Sequence, residues 1–310
     1  SFVIPCYRSE LSLEAVVEEI RSTVAQREGY DYEINLVNDC SPDGVWQVIK
    51  RLAGEDKKIH GVSLARNFGE YGAVMAGMRM CTGDIAVFLD DDGQTPANEL
   101  FSLVDALDED CDVAFASYLW PGSGKKHSAF RRFGSRVNDL MLRLLLKKPK
   151  DLEATSYIAA KRYVVEEACR YANPYPYSTG LFLRTTSKVK NVPVHHRERE
   201  LGRSGYNFKK LLSLWFDGLT SFSIVPLRIA TGAGCVFSLA GFIYTIFLII
   251  ERLTSPDIPL GYASTMAAVL VIGGILMLLI GMLGEYLGRI YISINNNPQY
   301  VIRERTDGND

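Results

Sequence analysis

Three aspartates in a row, Asp90-Asp91-Asp92, close an apolar run in the stretch "FLDDDGQ", Phe88 to Gln94. Like charges repel, so such a run either faces solvent or meets a cation. Asp90 and Asp92 are separated by one residue. On an extended segment they project to one side, where two carboxylates suit a hard divalent ion, Mg2+ or Mn2+. Such an ion commonly completes its shell with waters and substrate phosphates, and it makes a diphosphate a better leaving group. Asp91 then faces the other way, and Gln94 stands beside the ligand. A solvated turn, helped by Gly93, is the competing reading. Two more polar clusters lie at predicted strand ends, Pro5-Cys6-Tyr7 and Asn38-Asp39.

The elements that must position these residues alternate. "SFVIPCY" reads as a buried strand; it does not open on methionine, which predicts a few residues ahead of Ser1. Leu13, Val16, Val17, Ile20 and Val24 have helical spacing within Leu11 to Arg27. A second strand, Tyr32 to Asp39, leads to "SPDG", where Ser41 is the expected helix cap and Pro42 the first helical residue. "IHGVSLA" predicts a third strand, Glu70 to Met80 a small-residue helix, and "DIAVFLD" a fourth strand ending at Asp90. A helix near Ala97 to Leu107 and a strand at "DVAFAS" follow. This alternation implies an α/β fold with a mainly parallel sheet covered on both faces, and ligands in such sheets bind beyond the carboxyl ends of the strands. No GxGxxG follows the first strand and no GxxxxGK[ST] occurs, so neither a dinucleotide fold nor a P-loop is supported.

Composition excludes other classes. The 310 residues carry 34 Lys and Arg against 36 Asp and Glu, a net charge of −2, so no global field favours nucleic acid. Six cysteines without a CxxC pair read as buried thiols in a reducing compartment. His195 and His196 are adjacent, which on a strand turns them to opposite faces and makes a poor zinc site.

Two stretches have no charge, Ile229 to Ile250 and Ala263 to Gly284. Each has about the 20 residues a transmembrane helix needs; a pair of buried core helices is the alternative. Lys209, Lys210 and Arg228 precede the first stretch, and Arg289, Arg303 and Arg305 follow the second. Positive residues thus concentrate on the side holding both termini, which predicts a multi-pass inner-membrane protein with a cytoplasmic N-terminal domain. "KKLLSLWFDGLTSFSIVP", Lys209 to Pro226, carries Trp215 and Phe216 as an interfacial segment would. Arg136 to Lys148 has an apolar face that fits either an interfacial helix or a helix on the domain's own core. Gly273, Gly274, Gly281 and Gly284 allow close helix approach, within the hairpin or between subunits.

Taken in order along the chain, "FVIPCYRSE", "VNDCSPD", "ARNFGEYGAVMAG", "TGDIAVFLDDDGQTP", "VHHRERELGRSGYNF" and "GMLGEYLGRIY" resemble the family 2 glycosyltransferases that act on polyprenyl phosphate. The resemblance is to the group holding the undecaprenyl-phosphate aminoarabinose and bactoprenol glucosyl transferases, and more distantly to dolichol-phosphate mannose synthase. It implies a GT-A fold, a nucleotide-sugar donor, most often a UDP-sugar, and a metal-dependent inverting transfer of one sugar to undecaprenyl phosphate for cell-envelope glycan modification. It also implies a homo-oligomer, a tetramer among the states. Carried over, Pro5, Tyr7, Glu10 and Asp39 hold the base and ribose. Asp90 and Asp92 hold the metal, with Asp91 and Gln94 in the nucleotide-sugar site. Arg199, Arg203 and Ser204 approach the phosphates, although membrane-surface contact is an alternative for the two arginines. Asp92, Glu153 and Arg199 are the catalytic candidates. The family's arginine falls on Ile158, leaving Lys161 or Arg162 as substitutes, and "NDC" at Asn38 to Cys40 replaces the commoner "DDG". No Q-x-x-R-W occurs, which argues against a processive synthase. A nucleotide-sugar-binding scaffold without activity is the second hypothesis. The expected layout is a GT-A domain at 1–208, interfacial helices at 209–228, a transmembrane hairpin at 229–288 and a C-terminal tail at 289–310.

Overall fold

The computed structural model describes residues 1–119, 149, 152–174, 176–195, 197, scattered positions between 232 and 250, 261–294 and 297–308. Contacts divide the chain into two units, Ser1–Leu211 with Asn296–Asp310, and Leu212–Asn295. The first unit runs β1 (Phe2–Cys6), α1 (Leu13–Ala25), β2 (Ile34–Asn38), α2 (Val45–Glu55), β3 (Ile59–Leu64), α3 (Glu70–Met78), β4 (Ile85–Phe88), a 3-10 turn (Ala97–Glu99) and α4 (Leu100–Asp105). It continues through β5 (Val113–Leu119), β6 (Ile158–Lys161), α5 (Arg162–Cys169), α6 (Ser178–Thr185) and β7 (Val189–His195), and it regains the chain at β8 (Ile302–Arg305).

The described strands form one sheet in the order β7-β5-β6-β4-β1-β2-β3-β8. β1, β2, β3 and β4 are parallel neighbours, as are β5 and β7. β6 runs antiparallel to both β4 and β5, and β8 antiparallel to β3. The sheet is mainly parallel, as expected, with β6 and β8 as its antiparallel members. β6 and β8 have only four residues each, too few for alternation to stand out in the sequence.

Core formation follows the apolar spacing. Leu13, Val16, Val17, Ile20 and Val24 bury one face of α1 against Ile4, Ile34 and Leu36 of the sheet. Each such side chain contributes about 1.5–3 kcal/mol on burial. On the other face α3 packs closely on the valines of β1 and β2: a Cβ on Gly77 would stand 2.5 Å from Val3 Cγ1 and 3.3 Å from Val37 Cγ2. That close approach explains the small residues of α3, which is buried from Gly72 to Met78. Ser41 does not cap α2. The cap position is Gly44, while Ser41 Oγ donates to Asp43 Oδ1 at 2.6 Å and accepts the Arg8 N–H at 2.8 Å, stitching the β1 and β2 loops together.

In the second unit α7 (Tyr262–Ile294) is a helix of 33 residues. Counting described residues alone, no helix is long and apolar enough to cross a membrane. Most of Ile229 to Ile250, and the segments Arg136 to Lys148 and Lys209 to Pro226, lie outside the described residues, as do Arg199, Arg203 and Ser204.

Candidate active site

Four loops meet at the carboxyl ends of β1, β2, β3 and β4, and hydrogen bonds fix them to one another. Two non-glycine residues there have positive φ, Arg8 (60°) and Cys40 (50°). Such conformations cost free energy and persist where the surroundings hold them. Glu10, expected at the nucleotide, accepts the Gly44 N–H at 2.9 Å, and its own N–H donates to Asp43 Oδ2 at 3.1 Å. Asp39 is only 3% exposed. Its Oδ1 accepts the Phe68 N–H at 2.7 Å and its Oδ2 the Gly69 N–H at 2.9 Å. Burial pushes its carboxyl up to about 6, against the pull of those two N–H groups. Asp39 therefore anchors the loop that opens α3, a positional task the sequence did not disclose.

The three aspartates stand beyond the strand rather than on it. β4 ends at Phe88, and Asp91, Asp92 and Gly93 form a turn, with Gly93 at φ 73°. Each carboxylate has its own neighbour. Asp90 Oδ2 accepts the Ser156 hydroxyl at 2.8 Å, and Asp91 Oδ2 accepts the Tyr7 N–H at 2.9 Å. Asp92 Oδ1 accepts the Gln94 N–H at 3.1 Å. Asp91 thus faces the β1 loop, where Ser12 Oγ also donates to its carbonyl at 2.7 Å. Burial raises the Asp91 carboxyl to about 6. Asp90 and Asp92 offer oxygen donors of the kind a hard divalent ion takes. Among the described residues no group of three or more His, Cys, Asp or Glu side chains is placed to hold a metal.

Glu153 joins this end of the sheet through the segment that enters β6. Its Oε2 accepts the Ser117 hydroxyl at 2.7 Å near the end of β5. Two residues on, Thr155 Oγ1 donates to the Ala116 carbonyl at 2.9 Å, and then comes Ser156 on Asp90. Pro5, Glu70 and Asp90 line a cavity of about 190 Å³ together with the hydroxyl-bearing Thr155, Ser156, Tyr71, Tyr177, Ser178 and Thr179 and the apolar Phe88 and Ile158. The Tyr71 and Tyr177 rings meet edge to face at 5.2 Å. Burial raises the Tyr177 phenol to about 12, so it stays a neutral donor. The sequence reading missed these hydroxyls, since they sit on three separate segments and follow no spacing.

Ile158 is 2% exposed and pairs in the ladder with Phe88 and Phe115. Neither substitute for the family's arginine reaches this end. β6 is antiparallel to β4, so Lys161 pairs with Ile85, the first residue of β4. There Lys161 Nζ donates to Asp112 Oδ1 at 2.9 Å, and Arg162 bonds Glu166 and the Thr82 carbonyl. The expectation that Lys161 or Arg162 takes the acceptor phosphate is overturned by strand direction. At the other exit, the Arg197 N–H donates to the Gln94 carbonyl at 3.3 Å, and its guanidinium makes two bonds to Glu19.

Comparison with known proteins agrees with this geometry. The Glycosyl transferase family 2 model matches residues 1–168, and the GtrB C-terminal hairpin model matches residues 225–290. The undecaprenyl-phosphate 4-deoxy-4-formamido-L-arabinose transferase of Yersinia enterocolitica is 33% identical over 323 residues, covering 100% of this chain and 95% of that protein. Its Yersinia pestis counterpart is 32% identical over 321 residues with the same coverage. Among solved structures, glucosyl-3-phosphoglycerate synthase from Mycobacterium tuberculosis, in complex with Mn2+, UDP-glucose and phosphoglyceric acid, superimposes with a TM-score of 0.51. It covers 71% of this chain and 77% of that one at 16% identity, a likeness of fold. With the family model spanning 168 of 310 residues and a third of the aligned positions shared with a transferase over the whole of this chain, the chain belongs to glycosyl transferase family 2 and is a glycosyltransferase.

Proposed function

We propose that the protein transfers one sugar from a nucleotide-sugar donor, a UDP-sugar first among the candidates, to undecaprenyl phosphate at the cytoplasmic face of the inner membrane, with inversion at the anomeric carbon. The observation that carries this reading is the placing of Asp90, two residues from Asp92, in the lining of a cavity rich in hydroxyl-bearing residues at the carboxyl end of the sheet. The cavity takes the sugar: rings at Tyr71 and Tyr177 give a pyranose a flat neighbour, and the hydroxyls around them meet its own. The β1 and β2 loops, with Pro5, Tyr7, Glu10 and Asp39, are assigned to the nucleotide.

Asp90 and Asp92 would hold a divalent ion, Mg2+ or Mn2+, with Ser156 and the Gln94 N–H orienting them. When bound, the ion takes up charge on the departing diphosphate. The lipid phosphate is already anionic near neutral pH. One of its oxygens attacks the anomeric carbon from the face opposite the diphosphate, and the bond from that carbon to the diphosphate oxygen breaks. No strong base is required, and Glu153 orients the acceptor. Arg199 and Arg203 are assigned to the phosphates. In support, Arg199 lies two residues beyond Arg197, whose N–H is on the Gln94 carbonyl. Losing either charge-assisted phosphate contact should cost roughly ten- to a hundredfold in transfer to lipid.

The membrane assignment draws on charge and exposure. α7 has the length to cross a bilayer, about 50 Å at 1.5 Å per residue against a hydrocarbon core of about 30 Å. Met277, Ile280 and Ile294 are 78%, 66% and 72% exposed, an apolar surface that calls for lipid or a second copy of the chain. A cysteine placed at Ser255 should label from outside intact cells, and one at Ser204 should not; the opposite pattern overturns the topology.

Turnover of undecaprenyl phosphate with a panel of nucleotide sugars, with Mn2+ and in EDTA, tests the whole reading. Equal rates in EDTA would remove the metal. No turnover with any donor would favour the scaffold reading.

A further inference from the structure

The chain that returns after α7 does more than close the sheet. β8 pairs with β3, and Thr306 exchanges bonds with Gly61, its N–H donating to the Gly61 carbonyl at 2.9 Å and its Oγ1 accepting the Gly61 N–H at 2.8 Å. Ahead of that strand, Gln299 is driven into the protein and is 7% exposed. Its Nε2 donates to two carbonyls on the connection between α5 and α6, Tyr171 at 2.7 Å and Asn173 at 2.8 Å. Its Oε1 accepts Arg79 Nη2 at 3.4 Å, just past the end of α3, and Arg79 Nη1 reaches the Tyr300 hydroxyl at 3.2 Å. Its backbone carbonyl lies against the first turn of α3, where a Cβ on Gly72 would come within 3.1 Å of it. Next to it, the Val301 carbonyl accepts the Ala65 N–H at 2.8 Å.

Apart from those to Gly61 and Arg79, these contacts fall on two pieces of chain. One is the segment from Ala65 through Gly72, which carries Tyr71. The other is the connection from Tyr171 that leads to Tyr177, Ser178 and Thr179. They are two walls of the cavity beside Asp90. At the cavity the walls touch through the Tyr71–Tyr177 ring pair. Behind it, Gln299 bonds to one wall and packs against the other. A primary amide suits this place, because a single nitrogen supplies both donors for two carbonyls while the oxygen remains for a guanidinium.

We infer that Gln299 is a positioning residue that sets the spacing of the Tyr71 and Tyr177 walls, and so the affinity for the sugar part of the donor, without touching the donor itself. The inference rests on the reading of this cavity as the sugar site. UDP alone, held by the β1 and β2 loops and the Asp90–Asp92 turn, is indifferent to the wall spacing.

The test compares donor and UDP affinities on the full-length protein, measured by calorimetry in Mn2+ with UDP and a panel of UDP-hexoses and UDP-pentoses. The readout is the gap between the tightest UDP-sugar and UDP. Gln299→Glu keeps the size of the side chain and removes the two donors; Gln299→Met does so without charge, should the first variant fail to fold. Either should weaken the UDP-sugar by about tenfold while UDP changes by less than about twofold. Thr306→Ala loosens the same return strand away from the walls and should leave both affinities in place. Tyr177→Ala tests the cavity itself and should weaken the UDP-sugar alone. If Tyr177→Ala weakens the sugar and Gln299→Glu does not, the clamp is wrong and the cavity reading stands. If Gln299→Glu weakens UDP and UDP-sugar alike, Gln299 is merely structural and the inference is overturned. If no sugar adds affinity beyond UDP, or Tyr177→Ala has no effect, the cavity is not the sugar site and both readings fall.

Discussion

The two ends of the sheet treat their carboxylates differently. At the amino ends of β5 and β7, Asp112 receives Lys161 at 2.9 Å and Asp108 receives Lys190 at 3.0 Å, so each acid is met by a cation. At the carboxyl ends the hydrogen bonds described for the acids come from neutral donors. Asp39 is held by the Phe68 and Gly69 N–H groups, Asp91 by the Tyr7 N–H, Asp92 by the Gln94 N–H, Asp90 by the Ser156 hydroxyl and Glu153 by the Ser117 hydroxyl. Neutral donors orient a carboxylate without cancelling its charge. At one end the acids are tied into ion pairs, while at the other these donors orient them toward the face where a ligand would bind.

That contrast is broken most directly at Asp90 and Asp92. Asp90→Asn or Asp92→Asn should lower turnover by roughly 100-fold or more and weaken Mn2+-dependent donor binding, with an unchanged thermal midpoint. Loss of the fold in either variant would mean that these acids serve stability after all. Ser156→Ala sharpens the comparison by removing one neutral donor to a charged group. It should cost roughly tenfold in kcat/KM and raise the Mn2+ concentration needed for half-maximal donor binding, and Ser156→Thr should restore much of both.

Asp39 provides a test by pH. Its folded carboxyl is raised to about 6, while the unfolded one titrates near its ordinary value of 3.8. Between those values the folded state binds more protons, so Asp39's contribution to stability is present at acid pH and is lost as pH rises from about 4 to about 6. The loss is on the order of 3 kcal/mol. Thermal midpoints of wild type and Asp39→Asn across this window should diverge in that direction; parallel curves would show that Asp39 titrates normally. The smallest effect belongs to the other end. Lys161→Ala should reduce stability by about 1 kcal/mol and leave kcat/KM near the wild-type value, whereas a tenfold fall in activity would place Lys161 in the site.

Much of the first half of the fold was legible because its signals are local. Leu13 to Val24 repeat at helical spacing, and Ile34 to Asn38 and Ile85 to Phe88 are short stretches rich in β-branched and other apolar residues, so local pattern alone located α1, β2 and β4. The run of three aspartates was equally visible, and it lies at the end of the sheet where α/β folds bind ligands. The direction of β6 was not visible, and it moved Lys161 and Arg162 to the far end while bringing Ser156 to Asp90. Ser41 failed as a cap because a loop 33 residues away in sequence supplied Arg8 as a better partner.

By itself the sequence determined the alternation of strands and helices, the acidic turn after β4, the two uncharged stretches and, through its motifs, the family. Tertiary structure alone decided which hydroxyls line the cavity, that Asp39 anchors the α3 loop, and that Gln299 returns to a connection 126 to 128 residues earlier in the chain. The reason is one of range: periodicity and caps act over a few residues and leave a pattern in the chain. Contacts across a sheet are set by strand order and direction, which no local pattern encodes.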